Sequence, residues 1–311
     1  MNDLSNSILT YFQDNLQKLS PEKQFHFASR IYLWSRQPEM RSTLDKLRPW
    51  YTSADRPMEA LKNVVNQSEE KPDYGSNNAY YLRRPFFDRY PKLTEYTPAL
   101  LKVTYMKTIY DIDSRDEFFS LFPANEIDQF SEQLYADDQA LAMLSSQAIN
   151  FLYLYEQLIK ENPSIVEPQR FLSIGQSAYD LTDKTNLQLM IYLYTHCIIG
   201  ATQFYYHAAT SPHAGIYNVM LNELDKIIEE RFDDINLDNK FEFLVCAKII
   251  GYQASTVSRI LAEAEQSVST SGQFLIDKHN SNPQSNNQSF ERSEHRNVLF
   301  IMSNSDFHPL V

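Results

Sequence analysis

The stretch QALAMLSSQAINFLYLYEQLIKEN, residues 139–162, is apolar at more than half of its positions and contains neither glycine nor proline. Asp138 stands just before it, where an acidic residue favours a helix start. Asn162 and Pro163 stand at its end, where proline stops a helix. A run of this length without strict alternation indicates a helix rather than a strand. The stretch therefore predicts one long, buried helix and an all-α fold.

Capped helical patterns recur on both sides of this stretch. Ser20 precedes Pro21 and Asp183 precedes another apolar run, and both are signals of a helix start. Two helix starts of similar sequence, LTDK at 181–184 and LDNK at 237–240, lie about fifty residues apart, which is the size of one helical hairpin. The sequence therefore predicts an all-α array of helical hairpins, of the kind found in α/α toroids, with an N-terminal helical subdomain.

Two polar stretches interrupt the helical patterns. QSEEKPDYGSNN is rich in turn-forming residues, and NSNPQSNNQS is of low complexity. An apolar helix follows the second stretch and must dock on the rest of the chain to bury its apolar side chains. The predicted organisation is an N-terminal helical region at 1–66, a linker at 67–78, a main body at 79–278, a flexible loop at 279–292 and a C-terminal helix at 293–304.

The charge of the chain argues against several partners. A formal net charge of −12 opposes binding driven by phosphate neutralisation, and basic residues such as Lys102, Lys107 and Arg115 are scattered. Residues 185–222 contain no charged side chain except histidine, but their histidines, glutamines and proline are unfavourable inside a bilayer. We therefore expect neither a nucleic acid nor a membrane as partner.

Glycine and cysteine are both scarce. Six glycines are too few for many tight turns, and they leave no glycine-rich phosphate loop. Cys197 and Cys246 each lie in an apolar helical pattern, so buried thiols and a reducing, cytoplasmic compartment are expected. The N-terminus lacks the basic start and apolar core of a signal peptide. The sequence predicts neither a metal site nor a cofactor.

A polar stripe crosses the apolar run YTHCIIGATQFYYH, residues 194–207. At 100° per residue, His196, Gly200, Gln203 and His207 share one helix face. A glycine inside a helix costs about 1 kcal/mol relative to alanine, so a close approach of a helix or a ligand is its expected reason. The stripe is a candidate binding surface, and the alternative is that neighbouring groups simply satisfy each histidine.

Several motifs in the C-terminal 130 residues or so resemble those of a family of uncharacterised bacterial all-helical domains. They are the Thr195-His196 pair, the acidic helix start that contains Glu242, the Ser271-Gly272 loop and Glu294-His295-Arg296 at the start of the last helix. The chain differs from the family in having Gln203 where an acidic residue is usual. The resemblance implies a helical shape and no established activity.

Two function classes follow from these residues. The abundance of tyrosine and phenylalanine, with no GxSxG, Walker or HExxH motif, favours a scaffold that binds a protein or peptide in an aromatic-lined groove. The alternative is an enzyme in which His196, Glu242 and His295 converge at the mouth of a helical barrel for acid/base work. His26, Arg30 and Trp34 form a further stripe at four-residue spacing, which predicts a packing seam or a contact with a carboxylate.

Overall fold

Helices make up 75% of the structure, a computed structural model that describes residues 3–69, 78–162, 165–209, 211–269, 271–276 and 289–309. Within these ranges there are sixteen α-helices and no β-strand, so the predicted all-α class is confirmed. The α-helices are α1 Asp3–Asn15, α2 Pro21–Ser35, α3 Pro38–Tyr51, α4 Pro57–Glu69, α5 Asn78–Arg89, α6 Leu93–Tyr110, α7 Arg115–Leu121, α8 Ala124–Ala136, α9 Asp138–Leu144, α10 Ser146–Leu152, α11 Pro168–Ser177, α12 Lys184–Ala201, α13 Ala214–Glu230, α14 Leu237–Ile250, α15 Val257–Gln266 and α16 Glu294–Ser303. A π-helix spans Tyr153–Ile159, and short 3₁₀ helices span Leu16–Lys18, Ser211–His213 and Phe232–Asp234.

The helix starts follow local chemistry. Pro21 is the first residue of α2, as predicted. The Asp183 carboxylate accepts a hydrogen bond from the Asn186 backbone N–H at 2.9 Å and so caps α12. At α9 the capping carboxylate belongs to Asp137 rather than to the predicted Asp138. These three helices start within one residue of their predicted positions.

The single long helix predicted at 139–162 is wrong. Ser145 adopts a left-handed backbone with φ 46°, which ends α9 and starts α10 in a new direction. Its buried hydroxyl donates to the Leu189 carbonyl of α12 at 2.7 Å, a tertiary bond that the sequence pattern does not encode. After α10, the chain widens into the π-helix, a rare form that is often found at functional sites.

The chain forms two compact units. The first unit comprises Met1–Leu47 and Tyr205–Val311, and the second unit comprises Arg48–Phe204. In the first unit α16 packs against α14, α2 and α1, while in the second unit α6 contacts α4 and α10, and α12 contacts α10 and α11. Residues 70–77 of the predicted linker and 279–288 of the predicted loop lie outside the described residues, so the predicted division stays a prediction.

The apolar segments are used for packing inside these units. Apart from its first residue, Lys184, helix α12 lies in the charge-free segment, and most of its side chains are buried in the second unit. No helix in the described part of the chain is both long and apolar enough to cross a bilayer. Cys197 and Cys246 are both buried thiols, as predicted, and burial raises the pKa of Cys197 to about 12.

Candidate functional site

The predicted stripe from His196 to His207 does not lie on one helix face. Helix α12 ends at Ala201, and Gln203 adopts a left-handed backbone with φ 51°. The next two residues are left-handed as well, so the chain turns away from the helix axis and buries Phe204 and Tyr205. Gln203 and His207 are therefore not continuations of the helix, which corrects the prediction of a shared face.

The two stripe residues that do lie on α12 have close neighbours in the second unit. The His196 Nδ1 atom lies 2.8 Å from the Asn150 side-chain oxygen, so α10 satisfies this nitrogen. A Cβ atom added at Gly200 would lie 2.4 Å from the ring of Tyr153. Gly200 is therefore a packing contact, one of the two reasons predicted for it.

The other candidates belong to the first unit. Glu242 is 4% exposed within α14, and His295 is partly buried at the start of α16. His196 lies in the second unit, so the shared site of His196, Glu242 and His295 stays a prediction.

A chain of hydrogen bonds in the first unit joins α2 to α16. The Glu294 carboxylate lies 2.7 Å from the His26 Nδ1 atom, and the Arg30 Nε atom lies 2.7 Å from the other nitrogen of that ring. Arg30 also donates to the Tyr205 hydroxyl at 2.9 Å. Lys23 reaches the second oxygen of Glu294 at 3.3 Å. We call these five residues the His26 cluster.

The bonding partners fix the protonation state of the ring. Arg30 can only donate, so the His26 Nε2 atom must accept and carry no proton. The proton of the neutral ring therefore sits on Nδ1 and is donated to Glu294. This assignment agrees with the electrostatics, because burial and the nearby Arg30 lower the pKa of His26 even though Glu294 opposes them.

Glu294 supplies the negative charge of the cluster. Its side chain is fully buried, which by itself raises the pKa of the carboxyl group, but His26, Lys23 and Arg30 lower it by more. The net pKa lies below the ordinary value, so Glu294 is ionised at neutral pH. A buried carboxylate that orients a partly exposed histidine is an arrangement suited to acid/base work.

His295 extends this cluster. Its ring centroid lies 5.5 Å from that of His26, so the two imidazoles lie next to each other. The neighbouring Arg296 forms an ion pair with Asp238 of α14 at 2.7 Å, which fixes the start of α16. The cluster therefore contains two residues from the predicted seam, His26 and Arg30, and it is flanked by one residue from the predicted constellation, His295. Trp34, the third seam residue, packs against Phe307 and contacts the edge of the Tyr205 ring.

A second buried carboxylate was missed by the sequence analysis. Glu156 lies in the π-helix of the second unit and accepts a hydrogen bond from the Ser131 hydroxyl at 2.7 Å. Lys160 lies 3.4 Å from its other oxygen and also pairs with Asp128. The only sequence signal was an acidic residue within an apolar run. Among the described residues, no group of three or more metal-binding side chains could hold a metal ion.

The family comparison covers nearly the whole chain. A family described as a domain of unknown function, DUF3541, matches residues 1–306. The chain belongs to the DUF3541 family. No curated protein and no solved structure matches it. The uncharacterised status of DUF3541 agrees with the predicted absence of an established activity, although the match does not test the C-terminal motifs individually.

Proposed function

We propose that the first unit binds an anionic small molecule at the His26 cluster and exchanges a proton with it through His26. The observation that carries this proposal is the 2.7 Å contact between the buried Glu294 carboxylate and the Nδ1 atom of the partly exposed His26 ring. The side chain of His26 is 31% exposed, so a ligand can reach it without unfolding the unit. A carboxylate that orients a reachable imidazole is a common arrangement in acid/base catalysis.

The flanking charges favour an anion. Lys23 and Arg30 outnumber the single buried carboxylate, and the side chain of Lys23 is 38% exposed. In a chain with a net charge of −12 such a local excess of positive charge is unusual. A carboxylate or phosphate group can accept charge-assisted hydrogen bonds from both side chains.

Ligand binding and proton transfer are coupled through Arg30. Arg30 donates to the His26 Nε2 atom and so occupies its lone pair. If an anion attracts the Arg30 guanidinium, that lone pair becomes available to take a proton from the ligand. The positive ring that forms would then be stabilised by Glu294, as in other carboxylate–histidine pairs.

The test is a titration of the full chain with inorganic phosphate, acetate and citrate, followed by NMR of the imidazole nitrogens. We expect the His26 and His295 resonances to shift with a saturating dependence on at least one anion, and Arg30→Gln to weaken that dependence about tenfold or more. His213→Gln is the matched control, since His213 belongs to the same unit and contacts Tyr217 instead of the cluster. If none of the three anions changes the chemical shifts of the imidazole nitrogens, the proposal is refuted.

A peptide-binding scaffold, also predicted from the sequence, is a second candidate. Tyr81 and Leu82 are neighbours on α5 and are 60% and 45% exposed, which is unusual for large apolar side chains. If α5 contacts a peptide, replacing both residues with serine should abolish binding of ligands selected from a peptide library. The same variant should leave the anion titration of His26 unchanged.

A further inference from the structure

A lysine on α6 of the second unit lies against two aromatic rings. The Lys102 Nζ atom is 3.5 Å from the centroid of the Tyr51 ring and 5.6 Å from that of Trp50, at the C-terminal end of α3. Tyr51 is buried, whereas Trp50 is 42% exposed, the only tryptophan of the chain with a large exposed surface. Lys102 itself is partly exposed. The amine is therefore within reach of a small molecule that stacks on Trp50.

Lys102 also differs from its neighbours in charge environment. In the part of the chain that the structure describes, no carboxylate forms an ion pair with it. Lys107, one and a half turns further along the same helix, pairs with Asp111 at 2.9 Å. Burial lowers the pKa of Lys102 to about 8, whereas the Asp111 carboxylate raises the pKa of Lys107. The Tyr51 ring favours the charged amine and opposes part of the first shift.

We propose that Lys102 is a covalent attachment site for an aromatic aldehyde, whose ring stacks on Trp50 while its carbonyl carbon faces the amine. The lone pair of the neutral amine forms a bond to the carbonyl carbon, and the carbonyl π electrons move to the oxygen, which takes up a proton. The resulting carbinolamine loses water as the nitrogen lone pair forms the carbon–nitrogen double bond. The net reaction converts an amine and an aldehyde into an imine and water, with no oxidant or reductant.

The lowered pKa of Lys102 and the two aromatic rings beside its amine both support this assignment. At pH 8 a lysine with a pKa of about 8 is half neutral, whereas an ordinary lysine is about 100-fold less so. An aromatic aldehyde gains stacking on the exposed indole of Trp50, which an aliphatic aldehyde does not. The Lys102 Nζ atom lies 3.5 Å from the centroid of the buried Tyr51 ring and 5.6 Å from that of Trp50, so the amine lies beside both rings.

The test is reductive trapping. The full chain is incubated with benzaldehyde or with propionaldehyde in the presence of cyanoborohydride at pH 8, and the modified lysines are located by peptide mass spectrometry. We expect Lys102 to be modified by benzaldehyde at least tenfold faster than Lys107, which is the matched control on the same helix. We expect Trp50→Leu to remove most of the preference for the aromatic aldehyde, while the circular dichroism stays unchanged because Trp50 is 42% exposed and leucine keeps an apolar side chain there.

A pH series separates the outcomes. As the pH is raised, the rate of modification of Lys102 should increase with a midpoint near pH 8. The Lys102→Met variant should lose the modification of the peptide that contains residue 102 and of no other peptide. Modification of Lys102 no faster than that of Lys107, or a midpoint above pH 10, would overturn the proposal. If both aldehydes modify Lys102 equally fast, the proposed preference for an aromatic ligand is wrong, because Trp50 would then contribute nothing to binding.

Discussion

Replacing Gly200 with alanine should destabilise the second unit. The added Cβ atom would lie 2.4 Å from Cδ2 and 2.5 Å from Cγ of Tyr153, about 1 Å closer than carbon atoms normally pack. The Tyr153 ring cannot move aside easily, because it is 1% exposed and its hydroxyl lies 3.3 Å from the Cys197 sulfur. Overpacking of a core costs about 1–3 kcal/mol, and alanine recovers about 1 kcal/mol of helix propensity. Because the Tyr153 ring is held in place, we take the upper end of this range, about 3 kcal/mol, as the cost of overpacking. The expected net loss is therefore about 2 kcal/mol.

Urea unfolding followed by circular dichroism measures this loss. Gly215→Ala is the matched control, because no described atom lies within 4 Å of a Cβ added at that helical glycine. We expect the control to leave the free energy of unfolding unchanged or slightly higher. In a Tyr153→Leu background, Gly200→Ala should cost about 3 kcal/mol less than in the parent chain, because the clashing ring is gone and only the gain in helix propensity is left. Equal stability of Gly200→Ala and the parent chain would refute this account of α12 packing.

Three further perturbations test the first unit by the free energy of unfolding in urea. Asp225→Asn should cost about 2–3 kcal/mol, because the buried carboxylate accepts hydrogen bonds from Thr256 Oγ1 at 2.6 Å and from the Ser255 N–H at 2.7 Å; an unchanged value would show that these bonds contribute nothing to stability. The pKa of His26 is lowered in the folded chain, so the unfolded chain takes up a proton first as the pH falls below about 6.5. The parent should therefore lose more stability between about pH 7.5 and 5.5 than His26→Gln does, and equal losses would contradict this. Glu263→Ala should cost about 3 kcal/mol, because it leaves the fully buried Lys240 without its partner at 2.6 Å. Adding Lys240→Met to that variant should restore most of the lost stability. No recovery would show that the pair contributes only through packing.

The fold class could be predicted because it depends on local signals. Asp183 and Pro21 mark helix starts through hydrogen-bonding and backbone rules that act within one turn, and the structure confirms both. The break at Ser145 could not be predicted, since its cause is a hydrogen bond to Leu189, 44 positions away. The end of α12 at Ala201 was missed for a similar reason: the left-handed turn that follows is stabilised by the burial of its side chains.

Only individual residues of the candidate site could be predicted from the sequence. The four-residue spacing of His26 and Arg30 indicated that they share a face, and the sequence also singled out His295. Nothing in the sequence indicated that Glu294 would meet His26, because the two are 268 positions apart and lie on helices that contact each other only in the folded chain. Local patterns can therefore identify the side chains capable of chemistry, but they cannot show which of them come together.

The first unit is built from both ends of the chain, and this has a consequence for synthesis. A ribosome that adds about 5–20 residues per second needs roughly 12–50 s to proceed from Leu47 to Glu294. During that interval the whole contiguous second unit emerges and can fold, whereas α16, which packs against α2, has not yet been synthesised. Until then, the apolar side chains Phe25 and Phe27, buried in the finished unit, remain available to chaperones. The His26 cluster therefore forms only after α16 has emerged, and a chain that ends before α16 lacks it.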